Sequence, residues 1–208
     1  MFTAPTSIAF LIAAFAIILA PGPAQALVLT RTLSEGRRSG AMTAVGLNVG
    51  TLMHALAAAL GLSAILATSA AAFSVVKYAG AAYLIHLGIR ALRAREDNVE
   101  ATRSNPHGGA SFWRAVATGV LNPKVAVFFL AFLPQFVDPE RGSAVVQLVV
   151  LGTAVAVLDV FYELILVWVA SALRGRVLAS RGFARWRERV TGVVLIALGA
   201  RLAMAQRQ

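Results

Sequence analysis

At 208 residues the chain has the length of one soluble domain, but 59% hydrophobic and only 13% charged residues exclude that class, since soluble domains carry about 25% charged residues. A mean hydropathy of +0.76 belongs to a polytopic membrane protein. The net charge of +10 does not point to a nucleic-acid partner, because the arginines cluster between apolar stretches and read as topology signals.

A membrane-crossing helix needs about 20 apolar residues. Six stretches qualify, at about 7–30, 41–67, 73–92, 112–136, 144–173 and 188–205. The first lacks a basic leader, and its run from Ser7 to Leu29 is too long for a signal-peptide core, so it reads as a retained helix. Pro21-Gly22-Pro23 interrupts it. The second carries Gly46, Asn48 and Gly50 on a small-residue face, with His54 beyond them. After the third comes a polar connection at about 94–111, read as a cytoplasmic linker between two halves (about 1–93 and 112–208) of one transporter domain. Asn122-Pro123-Lys124 interrupts the fourth stretch, Asp159 and Glu163 lie in the fifth, and Arg201 closes the sixth. The expected fold is therefore an all-α membrane protein of six transmembrane helices.

Positive charge assigns sides. Arg31, Arg37 and Arg38 follow the first span, Arg93, Arg95 and Arg103 the third, and Arg174, Arg176, Arg181, Arg185 and Arg187 the fifth. Those connections are expected in the cytoplasm and both termini outside it. Lys77, Arg90 and Arg201 read as anchors near span ends. The halves also match weakly in order: Pro23 with Pro123, Gly50-Thr51 with Gly152-Thr153, and Leu84 to Arg90 with Leu195 to Arg201. Three spans per half make the second copy enter from the opposite side, the inverted repeat of many alternating-access transporters.

Proline within a span frees backbone groups where no water can satisfy them, so such breaks persist beside protein or a polar cavity. Two breaks at matching places point to a central binding site. Pro21, Gly22 and Pro23 offer carbonyls to a cation, with Gln25 and Thr30 nearby. Pro123 disturbs the carbonyl near Gly119, Asn122 can satisfy a freed group, and Lys124 places a cation in mid-span. That cation costs about 2.5–3.5 kcal/mol on insertion scales, so it should face a cavity or an anion. Asp159 and Glu163 share a helix face at i, i+4, and two carboxylates in a low dielectric resist joint ionisation, which suits proton coupling. His54 is a candidate relay, although a hydrogen-bonded structural histidine is the commoner outcome. Asn48 is a candidate lining residue. The chain has no cysteine, and it shows no zinc-binding His-Glu-x-x-His, no Gly-x-Ser-x-Gly elbow and no P-loop. Neither an enzyme nor a metal or other cofactor is expected.

These motifs are joined by Gly36-Arg37-Arg38, by Gly80-Ala81-Ala82-Tyr83-Leu84 with Gly88, and by Phe128 and Phe129. Leu133-Pro134-Gln135-Phe136, Gly192 and Leu198-Gly199 complete the set. In order and spacing the chain resembles the LysE/RhtB family of bacterial amino-acid exporters over nearly its whole length. The resemblance implies two inverted three-helix repeats, a plasma-membrane location, export driven by the proton gradient, and a site near the paired breaks. The chain departs from the family pattern at Ala24, where asparagine commonly follows the first proline motif.

The expected activity is amino-acid/proton antiport. The substrate carboxylate would meet Lys124, its ammonium the carbonyls freed at the first break, and Asp159 or Glu163 would exchange the proton. A transporter of another solute or a metal cation is one rival. The other is a non-transporting membrane subunit docking through small-residue faces, which are also compatible with a homodimer.

Overall fold

The computed structural model describes residues 2–20, 22–62, 70–93, 108–172 and 181–204, and among these all regular structure is helical. Helix α1 (Ala4–Leu19) starts at a Thr3 cap, whose hydroxyl accepts the Thr6 N–H, with Pro5 in its first turn. The chain then breaks and resumes as α2 (Pro23–Glu35), bent 54° from α1. Gly36, at φ +91°, turns directly into α3 (Arg37–Ala57), which widens into a π-helical turn at Ala58–Leu62. The positive φ is one that glycine alone adopts without strain.

Helix α4 (Ala70–Arg93) follows. The second half opens with α5 (Gly108–Val120), which starts four residues inside the stretch read as linker; residues 94–107 of that stretch lie outside the described residues. A second break at Leu121 and Asn122 leads into the short α6 (Pro123–Val127), continued by π-helical and 3-10 turns to Phe136 and bent 41° from α5. The long α7 (Ala144–Ala172) and α8 (Arg181–Met204) complete the described elements.

Among the described residues two helices, Arg37–Gly61 and Ala144–Ala172, are long and apolar enough to cross a membrane alone; counting each bent pair as one span makes four. At 1.5 Å per residue the 29-residue α7 reaches about 43 Å, beyond the roughly 30 Å hydrocarbon layer. The protein is thus a multi-pass, all-helical membrane protein.

Glycine faces bring the spans together. A Cβ on Gly50 would stand 2.6 Å from the Gly119 carbonyl carbon, and one on Gly119 2.4 Å from the Leu47 oxygen, so α3 and α5 meet backbone to backbone. Gly88 of α4 and Gly192 of α8 meet likewise. Side chains here would force the helices apart.

Among the described residues the buried apolar side chains form two clusters. The larger gathers Phe128, Phe129 and Phe132 with Ile17 of α1, Leu84 of α4 and Leu202 of α8. The smaller joins Val28, Ala44, Leu47, Ala115 and Val167. Four of the strands of chain running from one cluster to the other carry a buried polar residue on the way. Gln25 lies between Ile18 and Val28, Thr51 between Leu47 and Ala55, Lys124 between Ala115 and Phe128, and Glu163 between Val155 and Val167. A polar layer therefore divides the apolar interior.

At the turn between α2 and α3, Arg31 is buried and ion-paired with Glu35, whose other oxygen accepts the Ser39 hydroxyl at 2.6 Å. The Ser39 hydrogen bond holds the Glu35 carboxyl below its usual range against the opposing effect of burial, with Arg31 assisting. Arg31 is thus a paired, buried group, unlike the exposed Arg37 and Arg38. Lys77 is also buried, over the Tyr78 ring at 4.4 Å, rather than extended to an interface as its sequence position suggested.

Candidate functional site

The two chain breaks meet in space, and one side chain joins them. Asn122 is the N-cap of α6: its side-chain oxygen accepts the Lys124 N–H at 3.1 Å, and Pro123 occupies the first turn, where no donor is needed. The carbonyl that Pro123 leaves without its usual partner, that of Gly119, accepts the Asn122 backbone N–H at 3.1 Å. Lys124 then reaches back to the end of α1. Its ammonium donates to the carbonyls of Ile17 at 3.0 Å and Ala20 at 2.8 Å. Gln25 of α2 adds a hydrogen bond from its side-chain amide to the Ile18 carbonyl. The C-terminal carbonyls of α1, which end at a negative dipole pole, are thus closed by a cation and an amide.

This differs from the expectation that the first break would hold its carbonyls open for a substrate ammonium. Backbone groups freed in a dry interior are costly, and the nearest mobile donor takes them. Gly22 lies against Lys124, where a Cβ would stand 3.7 Å from Nζ, and Pro23 begins α2. Pro21 lies outside the described residues. An ammonium has three donors, and two are committed here, so one N–H of Lys124 is left for the cavity beside it.

That cavity is lined by Ala24 and Gln25 of α2, Thr51 of α3, Asn122 and Lys124, and the two carboxylates of α7. The carboxylates are not equivalent. Glu163 is 1% exposed and accepts a 3.0 Å hydrogen bond from the Asn48 amide, which also donates to the Ala44 carbonyl. Asp159, one turn away, is only partly buried and accepts no hydrogen bond among the described residues. Neither is in ion-pair contact with Lys124; the ion pairs among the described residues are Arg31–Glu35 and Arg141–Asp138. The side-chain oxygens of Gln25 and Asn48 are buried without a donor. The cavity wall thus sets the Asp159 and Glu163 carboxylates and the Gln25 oxygen opposite the Lys124 ammonium and the Asn122 side-chain amide.

Sequence reading missed Thr51, which lines this cavity and a second one behind Lys124. Its place three residues after Asn48, on the same helix face, was the available signal. Ala24, the departure from the family pattern, lies in the cavity wall and supplies no polar group. The structure does not bring His54 to either cavity: the ring packs against Phe129 at 6.3 Å between centroids, and its Nε2 is buried without a hydrogen-bond partner.

A family model described as LysE type translocator matches residues 15–206. The chain belongs to that family. Among relatives of this translocator, an uncharacterised membrane protein of Vibrio cholerae serotype O1 is 33% identical, covering 96% of the chain and 97% of the relative. The membrane protein YrhP of Bacillus subtilis, also uncharacterised, is 28% identical over 95% and 98% of the two chains. A protein named leucine efflux protein, from Salmonella choleraesuis, is 28% identical over 95% of the translocator and 94% of its own length. No solved structure matches the chain.

Proposed function

We propose that this LysE-type translocator exports amino acids from the cytoplasm across the plasma membrane, exchanging each for a proton. The single observation that carries the reading is the pairing, in one intramembrane cavity, of a lysine with one spare N–H and an aspartate with no hydrogen bond. That is the complement of a zwitterion. The substrate carboxylate takes the free Lys124 N–H beside the start of α2, whose positive dipole end favours an anion. The ammonium takes Asp159, with the Gln25 oxygen as a second acceptor. Family membership and the relative named leucine efflux protein support the substrate class.

Coupling follows from charge. In the proposed cycle Asp159 carries a proton while the site is empty; when substrate binds, its ammonium takes the proton's place and the proton leaves. Proton and substrate compete for one group, so the carrier crosses with one or the other. Glu163, held by Asn48, fixes the electrostatic setting and is not the exchanging group.

Alternating access would come from rocking of two inverted three-helix repeats. Support comes from the matched breaks meeting at one site and from matched glycines at corresponding contacts, Gly88 of α4 against α8 and Gly199 of α8 against α4. Three exposed tryptophans, Trp113, Trp168 and Trp186, each lie near a connection assigned to the cytoplasm, as expected of interfacial anchors. Both termini then lie outside the cytoplasm.

The test is counterflow of a panel of labelled amino acids into proteoliposomes holding the purified protein, with and without a pH gradient. Accumulation of at least one amino acid, enhanced when the trans side is acidic, is expected. Exchange of none of the panel would overturn the proposal.

A further inference from the structure

Behind Lys124 lies a second cavity, about 20 Å³ in this state and so room for little more than one water, that the zwitterion site does not use and that an entering side chain would have to widen. It shares Thr51, Lys124, Val125 and Asp159 with the first, so those four residues form the partition. Beyond them its wall is apolar throughout: Ile17 and Ile18 from α1, Phe128 and Phe129 from the continuation of α6, and Val155 one turn before Asp159 on α7. All five are nearly buried, at 1–4% exposure, and belong to the larger apolar cluster.

The order of groups matters. Moving from the first cavity, one crosses the Lys124–Asp159 partition and enters a dry space with no further hydrogen-bonding side chain. An α-amino acid has the same order: two charged groups on one carbon and a side chain projecting away from both. We propose that this second cavity is the side-chain subsite, and that it selects amino acids with uncharged aliphatic side chains. The inference rests on the zwitterion reading of the first cavity.

A basic side chain would bring a second cation past Lys124 and leave it among Ile17, Ile18 and the two phenylalanine rings. Asp159, the one anion in the wall, is already committed to the α-ammonium. A hydroxyl there would have only Thr51 at the partition. An aliphatic side chain removes apolar surface from water at no such cost. Each methylene that fills such a subsite is worth about 10-fold or more in kcat/KM. Leucine should therefore exceed alanine by about 100-fold or more, and lysine should compete with neither.

Val155 is the residue to vary, since it lines the cavity with Phe128 and Phe129 and lies one turn before Asp159 on the same helix. Val155→Phe should lower the leucine-to-alanine ratio of kcat/KM by at least 10-fold, and Val155→Ala should raise the phenylalanine-to-leucine ratio. Ratios within one preparation are unaffected by how much of a variant folds. Counterflow of alanine, leucine, phenylalanine and lysine on the unaltered protein and both variants gives all of them. Exchange of alanine without preference for leucine, exchange of lysine at the leucine rate, or unchanged ratios in both variants would overturn the subsite while leaving the zwitterion site standing. Exchange of no amino acid by the unaltered protein would overturn both.

Discussion

Replacing Lys124 by methionine separates its two tasks, since methionine keeps the length and loses the charge. Two hydrogen bonds from the ammonium to the Ile17 and Ala20 carbonyls disappear, each worth about 1.5–3 kcal/mol because the donor is charged. Against this, the cation no longer has to be held in the membrane interior, which saves about 2.5–3.5 kcal/mol. The net loss of stability is then between about zero and 3.5 kcal/mol, or at most about 14 °C in Tm for a protein of this size. The loss of substrate binding has no such offset. Removing the cation leaves the substrate carboxylate buried and unpaired, at about 3–5 kcal/mol, so leucine exchange should fall by at least 100-fold. Thermal unfolding in detergent and counterflow in proteoliposomes read the two quantities on the same preparation. Normal leucine affinity in a folded Lys124→Met protein would refute the carboxylate role. A Tm lower by 20 °C or more would show that capping α1 dominates.

Other consequences follow from the same geometry. Asn122→Ala removes the cap of α6 and should cost about 1 kcal/mol, with the larger effect on KM because Lys124 loses its fixed starting point, as unfolding and exchange kinetics would show. Gly50→Leu drives a side chain into the Gly119 backbone, and an overpacking cost of about 1–3 kcal/mol or more should appear as lower Tm and poor yield. Because proton and substrate compete at Asp159, apparent leucine affinity should rise with pH by up to about 10-fold per unit while the group is protonated, then level off; affinity that falls as pH rises would contradict the competition. At the α2–α3 turn the depressed Glu35 carboxyl contributes stability that is present above its unfolded value and lost as pH falls through its folded one. Ser39→Ala should move that loss to higher pH in an acid titration of Tm.

The parts of the fold that were legible in the sequence are those that proline, glycine and charge determine locally. Pro23 and Asn122-Pro123 start helices because a ring without an N–H fits only the first turn, and both breaks fall where the residues place them. Gly46 and Gly50 announced close contacts, and the structure names their partners. What the sequence did not disclose is which donor reaches which acceptor across space. Lys124 and the α1 carbonyls are more than a hundred positions apart, as are Asn48 and Glu163, and nothing local pairs them. That long-range pairing distinguishes Asp159 from Glu163, two carboxylates that are equivalent by spacing alone. The widened turn at Phe128–Phe132, where the Phe128 and Phe132 rings stack, was not legible either, because helix propensity alone would continue an ordinary α-helix.

The exchange of a proton for an ammonium at Asp159 is the central claim, and proton release measures it most directly. Leucine added to the purified protein in weakly buffered detergent solution, near the pH where affinity still rises, should release close to one proton per leucine bound. Asp159→Asn should release none, whereas Glu163→Gln should still release. Undiminished release from the Asp159→Asn protein, or leucine binding to the unaltered protein with no release at any pH, would contradict the account.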